Sequence, residues 1–131
     1  MRTLLLASVL AAAAGCAKTD RPPAAPIAQV SVDELDQLLA RHDGQAVDAN
    51  EATTRHRMGV IPGAVLLTRF DSIDALPADK SKTLVFYCAN PACDASHEAA
   101  EQAALAGYTH VKVMPAGIAG WVKAGKQTVS I

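Results

Sequence analysis

Within TLVFYCANPACDASHEAA, residues 83 to 100, three side chains are suited to soft nucleophilic or ligand chemistry: Cys88, Cys93 and His97. Cys88 stands where an apolar, strand-forming run gives way to a helix-forming one. A sulfur at such a junction meets the loop's amide N–H groups and the positive end of the next helix, which favour thiolate over thiol. The same geometry binds anions at helix starts. Four uses are open to the pair. Cys88 can be a nucleophile. Cys93 can resolve an oxidised Cys88 by closing a disulfide, provided the two Cα atoms come within about 7 Å. With His97 the pair reads as Cys-x4-Cys-x3-His, soft enough for Cu(I) or Zn(II), but no fourth ligand is evident and no metal or other cofactor is assigned. The bland use is packing, with Cys93 a small buried residue and His97 a surface residue.

These residues need a scaffold. KTLVFYC is a continuous apolar run and predicts a central strand buried on both faces, ending at Cys88. DASHEAAEQAALAG predicts the following helix, with Ala95, Ala99, Ala103 and Ala106 on one narrow face and Gly107 as terminator. Upstream, Ser31 and Glu34 have capping-box spacing, and Val32, Leu35, Leu38 and Leu39 share a face, so a helix is expected from 32 to about 42, with Gly44 after its last turn. QAVDAN predicts a strand ending on Asp48, and EATTRHRMG a loop or brief helix. VIPGAVLL predicts a turn at Pro62-Gly63 and a strand over 64–67, and DSIDALPADK a short helix ended by Pro77. HVKVM predicts a further strand, GIAGWVKAG a last helix with Trp121 turned inward, and KQTVSI a tail. Strands alternating with helices imply an α/β fold with a mostly parallel sheet and helices on both faces, whose ligands bind at the carboxyl ends of the strands. Asp48 and Cys88 both fall at such ends. Asp48 is expected to support the active loop by bonding backbone. Arg55, His56 and Arg57 form a local basic cluster, expected on a solvated face or gathering an anionic substrate.

The chain has 131 residues, half of them hydrophobic, and a net charge of −1. That size allows one domain, and the balanced charge gives no reason to expect a nucleic-acid partner. The opening MRTLLLASVLAAAAG has one positive charge and then an apolar run too short to span a bilayer, as export signals do. Residues 1–15 are therefore read as a signal peptide. The junction AAAGC resembles a bacterial lipoprotein signal, with Ala13 where Leu is usual, and implies lipidation of Cys16 and anchorage in the cell envelope facing the periplasm; without lipidation the product would be soluble or secreted. Residues 16–30, AKTDRPPAAPIAQV with its Cys, read as an extended proline-rich tether of roughly 40 Å, leaving 31–131 as the domain. If Cys16 carries lipid, three cysteines resolve into one anchor and one local pair, and an oxidising compartment admits a disulfide in that pair.

DAN at Asp48–Asn50, GVIPGA at Gly59–Ala64, FYC ending at Cys88 and AGIAGW at Ala116–Trp121 follow one another in an order that resembles the rhodanese-like family of sulfurtransferase domains over about residues 31–126. The resemblance implies a single rhodanese-like domain in which Cys88 takes sulfur from a donor as a persulfide, Cys–S–S⁻, and yields it to a thiol acceptor. It also implies that the amides of Ala89, Asn90, Pro91, Ala92 and Cys93, where an N–H exists, hold the terminal charge. Alternatives are a thiol–disulfide switch on Cys88 and Cys93, or a non-catalytic binding module. Active thiosulfate users of the family carry cations in this loop, where here Ala89 and Cys93 stand, followed by Asp94. Asn50 and Val60 also replace a usual Arg and His. An uncharged loop with an acidic edge is poorly built for a dianion, which argues against thiosulfate as donor. Asp94 at the closing position likewise argues against phosphatase chemistry, which needs Arg there.

Overall fold

The computed structural model describes residues 25–131. Its element order is β1 (Ala28–Gln29), α1 (Val32–Ala40), β2 (Gln45–Asp48), α2 (Ala52–Met58), β3 (Val65–Leu66), β4 (Thr83–Tyr87), α3 (Ala95–Leu105), β5 (His110–Val113) and α4 (Gly117–Lys123). The strands form one sheet in the order β1-β5-β4-β2-β3, every neighbouring pair parallel. The run ending at Cys88 therefore lies in the middle of the sheet, as its unbroken hydrophobicity requires.

Successive side chains of β4 go to opposite faces. Leu84 and Phe86, with Cys88 just beyond the strand, face α3, whose Ala99, Ala100 and Ala103 are completely buried. Methyl-sized side chains let that helix sit close to the sheet. Val85 and Tyr87 face the other layer, where Leu35 of α1, Met58 of α2 and Ile118 and Trp121 of α4 converge. Helices thus cover both faces, one on one side and three on the other.

Ser31 caps α1 as its spacing with Glu34 predicts: the Ser31 hydroxyl accepts the Glu34 N–H at 3.2 Å, and the Glu34 carboxylate accepts the Ser31 N–H at 2.6 Å. The other end differs. The helix stops at Ala40, and His42, not Gly44, takes the left-handed conformation, with φ 57°. The His42 and Asp43 amides then bond the carbonyls of Leu39 and Leu38, a Schellman closure that a histidine tolerates at small cost.

Three other stretches depart from expectation. DSIDALPADK forms no helix; it runs as turns, with single bonds from Ser72 N–H to Arg69 O and from Leu76 N–H to Ile73 O. With Pro77 so near, the stretch is too short to offset the cost of nucleating a helix. The end of the tether joins the fold, since Ala28 and Gln29 pair with Lys112 and Val113 of β5 and Val30 is buried in the core. The C-terminal tail is also tied down. Val129 pairs with Val60, and the Lys126 ammonium bridges Asp36 at 2.6 Å and Asp33 at 3.3 Å on α1.

Candidate functional site

Asp48 and Tyr87 are register partners at the carboxyl ends of β2 and β4, and one step further the Ala49 N–H donates to Tyr87 O at 2.9 Å. This register sets Cys88 beside Ala49, at the edge where open α/β sheets hold their ligands. Cys88 is buried, with 2% of its surface exposed; Cys93 is half-buried, and Asn90, Pro91 and Ala92 between them are exposed. The two cysteines are joined as a disulfide, with a Cα–Cα separation of 6.3 Å. Of the four uses the sequence leaves open for the pair, this is the one the structure displays.

The closed loop is held from within and from below. Asn90 organises it: its side-chain carbonyl accepts the Ala92 N–H at 2.9 Å and its backbone carbonyl accepts the Cys93 N–H at 3.0 Å. From below, the first amides of α4 bond the loop's base, Ile118 N–H to Cys88 O at 2.8 Å and Ala119 N–H to Ala89 O at 2.9 Å. Gly117 permits this approach. Its φ is +66°, and a Cβ there would stand 2.6 Å from the carbonyl carbon of Ala89 and 2.7 Å from the amide nitrogen of Asn90. The glycine of AGIAGW is thus required both by its backbone conformation and by a backbone-to-backbone contact with the loop.

The expected cradle of loop amides is not assembled in this oxidised form. Pro91 has no N–H, the Ala92 and Cys93 amides are committed to Asn90, and the Cys93 carbonyl lies 3.1 Å from the Cys88 sulfur. A thiol at Cys88 could donate to that carbonyl; a thiolate or persulfide would be repelled by it. Of the five residues expected to hold the charge, only Ala89 and Asn90 keep an N–H that is not committed inside the loop.

Asp48 is buried completely, and its side-chain hydrogen bonds go to Asn50 and to a partner that local sequence conceals, not to the loop of residues 88–93. Its Oδ1 accepts the Asn50 N–H at 2.7 Å and the Arg55 Nε at 3.1 Å. Arg55 Nη2 donates to Asp48 O at 3.0 Å and to Leu67 O at 2.8 Å, stitching the ends of β2 and β3 together. The basic cluster is therefore split. Arg55 is buried, whereas His56 and Arg57 are exposed. A signal existed: a carboxylate ending a central strand needs a buried cation, and Arg55 is the first Arg or Lys after it. Asp48 Oδ2 has no hydrogen-bond partner among the described residues, and the Tyr87 phenol lies near the Asp48 carboxylate. Burial, and then the Asp48 charge, push that phenol above its ordinary pKa. The Tyr87 oxygen accepts the Ile61 N–H at 3.1 Å.

His97 is not drawn to the sulfurs. Its Nε2 pairs with Glu101 at 3.2 Å on the exposed face of α3, so Cys-x4-Cys-x3-His is not gathered as a ligand set, and no such cluster occurs among the described residues. Cys16 lies outside the described residues. The ends of β2 and β3 open a cleft of about 360 Å³ lined by Ala49, Asn50, Glu51, Thr68, Arg69 and Phe70; Cys88 itself is not part of its lining.

Residues 31–124 match the sequence profile of the rhodanese-like domain. The chain belongs to the rhodanese-like family. Solved structures share the fold of this rhodanese-like domain. The BH2092 protein of Bacillus halodurans superposes with a TM-score of 0.69 at 23% identity, over 79% of this chain and 77% of that one. A rhodanese-like domain protein of Staphylococcus aureus gives 0.62 at 27% identity, over 79% of this chain and all of the other. The human single-domain sulfurtransferase TSTD1 gives 0.61 at 24% identity, over 76% and 96%. No curated protein sequence matches the chain. Within the rhodanese-like frame, Cys88 holds the place at the end of the strand and Cys93 ends the loop that follows.

Proposed function

We propose that the domain is an exported sulfurtransferase in which Cys88 accepts sulfane sulfur as a persulfide and passes it to a thiol. The observation that carries this reading is the placement of Cys88: a sulfur at the carboxyl end of the central strand, with its loop pinned by α4, in a domain of the rhodanese-like family. The cleft that begins at Ala49, on the same rim of the sheet as Cys88, offers room for a donor's organic portion, and Arg69 in its lining can attract a single negative charge. Its exposed ion pair with Asp71 is worth little and yields readily. A monoanionic donor such as an organic thiosulfonate or a small-molecule persulfide therefore suits the site better than thiosulfate. The export signal and Cys16 would anchor the protein by lipid, with the domain in the periplasm.

Intact mass tests the central claim. Reduced protein treated with such donors gains one sulfur atom, or releases it as sulfide together with the Cys88–Cys93 disulfide, and Cys88→Ser does neither. Sulfur uptake equal in Cys88→Ser and wild type refutes the assignment. For the anchor, Cys16→Ser moves the protein from the membrane to the soluble envelope fraction.

The disulfide favours a second reading, a thiol–disulfide switch that uses the same pair without sulfur transfer. In that case oxidation and reduction of the pair proceed normally while no donor leaves sulfur on Cys88 and none is released.

A further inference from the structure

The Cys88–Cys93 pair and the commitments of its loop lead beyond transfer to an external acceptor. The Cα–Cα separation of 6.3 Å lies inside the span a disulfide bridges without moving backbone, about 4.4–6.8 Å. Cys93 is therefore within reach of the Cys88 Sγ whenever this loop conformation forms. The same conformation removes the support a persulfide needs. The Ala92 and Cys93 amides are taken by Asn90, Pro91 offers none, and the Cys93 carbonyl sits 3.1 Å from the Cys88 sulfur. A loop that closes on a persulfidated Cys88 thus weakens the hold on the terminal sulfur as it brings up a nucleophile.

We propose that the domain reduces sulfane sulfur to hydrosulfide, with Cys93 as the resolving thiol and an external dithiol as the reductant; this rests on Cys88 carrying the persulfide. The step is Cys88–S–S⁻ + Cys93–SH → Cys88–S–S–Cys93 + HS⁻. The Cys93 sulfur attacks the Cys88 Sγ, a bond forms between those two sulfurs, and the bond to the outer sulfur breaks. The outer sulfur leaves with the electron pair and takes the Cys93 proton. It is reduced by two electrons, and the two cysteines are oxidised by two. Hydrosulfide leaves more readily than an alkyl thiolate because its conjugate acid is the stronger. Attack from within the same loop proceeds at an effective concentration in the mM range or above, so Cys93 competes well with dilute external thiols.

Resetting the site has a preferred direction. Cys88 is buried and Cys93 half-exposed, so an incoming dithiol reaches the Cys93 sulfur and expels Cys88 as thiolate. The second thiol of the reductant then closes the mixed disulfide, freeing Cys93 and leaving the reductant oxidised. Cys88 emerges as the nucleophile for the next donor.

The test is a single turnover of the full chain, reduced, freed of small thiols and kept anaerobic. One equivalent of an aromatic thiosulfonate is added, sulfide is trapped with a bimane, and intact mass is read after alkylation. Wild type is expected to release one sulfide per chain and end with the two cysteines unalkylated and joined. Cys93→Ser and Cys93→Ala are expected to keep the added sulfur, with sulfide release at least about a hundredfold slower. Wild type that holds the added sulfur as long as the variants overturns the inference and leaves the persulfide assignment standing. A disulfide formed without sulfide also overturns it, in favour of the simple switch. Absence of both sulfur uptake and disulfide in every chain removes the persulfide itself and the inference with it.

Discussion

Replacing Gly117 with alanine tests how the active loop is held. Two costs follow from the structure. The residue keeps φ +66°, which costs an L-residue about 1–2 kcal/mol. The new Cβ would also lie 2.6 Å from Ala89 C and 2.7 Å from both Ala89 O and Asn90 N. All three are backbone atoms, so relief requires moving the loop or α4, an overpacking cost of about 1–3 kcal/mol. The total of about 2–5 kcal/mol is a large share of a domain's stability and corresponds to a melting temperature lower by about 10 °C or more. Gly63→Ala is the control. Its φ is +77°, but a Cβ there meets nothing within 4 Å, so it bears the conformational cost alone. Thermal unfolding by circular dichroism should place Gly117→Ala well below Gly63→Ala, and hydrogen exchange should quicken at the Ile118 and Ala119 amides that bond the loop. Equal melting of the two variants, with those amides still protected, would refute the close-approach account.

Arg55→Ala strands the Asp48 carboxylate in the core and should cost about 3–5 kcal/mol in denaturant unfolding, whereas exposed Arg57→Ala should stay within about 0.5 kcal/mol; similar losses from both would contradict the burial of Arg55. Tyr87 is held protonated by the fold, so its contribution is fully present below its ordinary pKa of 10.0 and is lost as pH climbs above it. Unfolding free energy measured across that range should fall more steeply in wild type than in Tyr87→Phe, and parallel slopes would count against a phenol held protonated by its burial.

The parts of the fold that short-range pattern determines were legible. The hydrophobic run of β4 located the central strand and therefore Cys88, and the Ser31–Glu34 spacing fixed the start of α1. What escaped depends on contacts between distant segments. Arg55 sits among His56 and Arg57 in sequence and looks solvated, yet its guanidinium bonds Leu67 O, twelve residues on. Ala28 and Gln29 carry no strand signature of their own and become a strand only because the edge of β5 receives them. Gly44 looked like the natural terminator of α1, but the closure falls two residues earlier, on His42. The motif AGIAGW was visible as a resemblance, while the reason for its glycine lies in the backbone of residues 89 and 90.

Because every strand runs the same way, the sheet has two unlike rims. The chain enters β1 from the rim where the strands begin, and Cys88 lies on the rim where they end. An anchor on the N-terminal side would thus pull on the far side of the domain from the sulfur. In the lipid-anchored form proposed above, the tether would attach at the rim opposite the sulfur, leaving the rim that carries Cys88 free of any attachment.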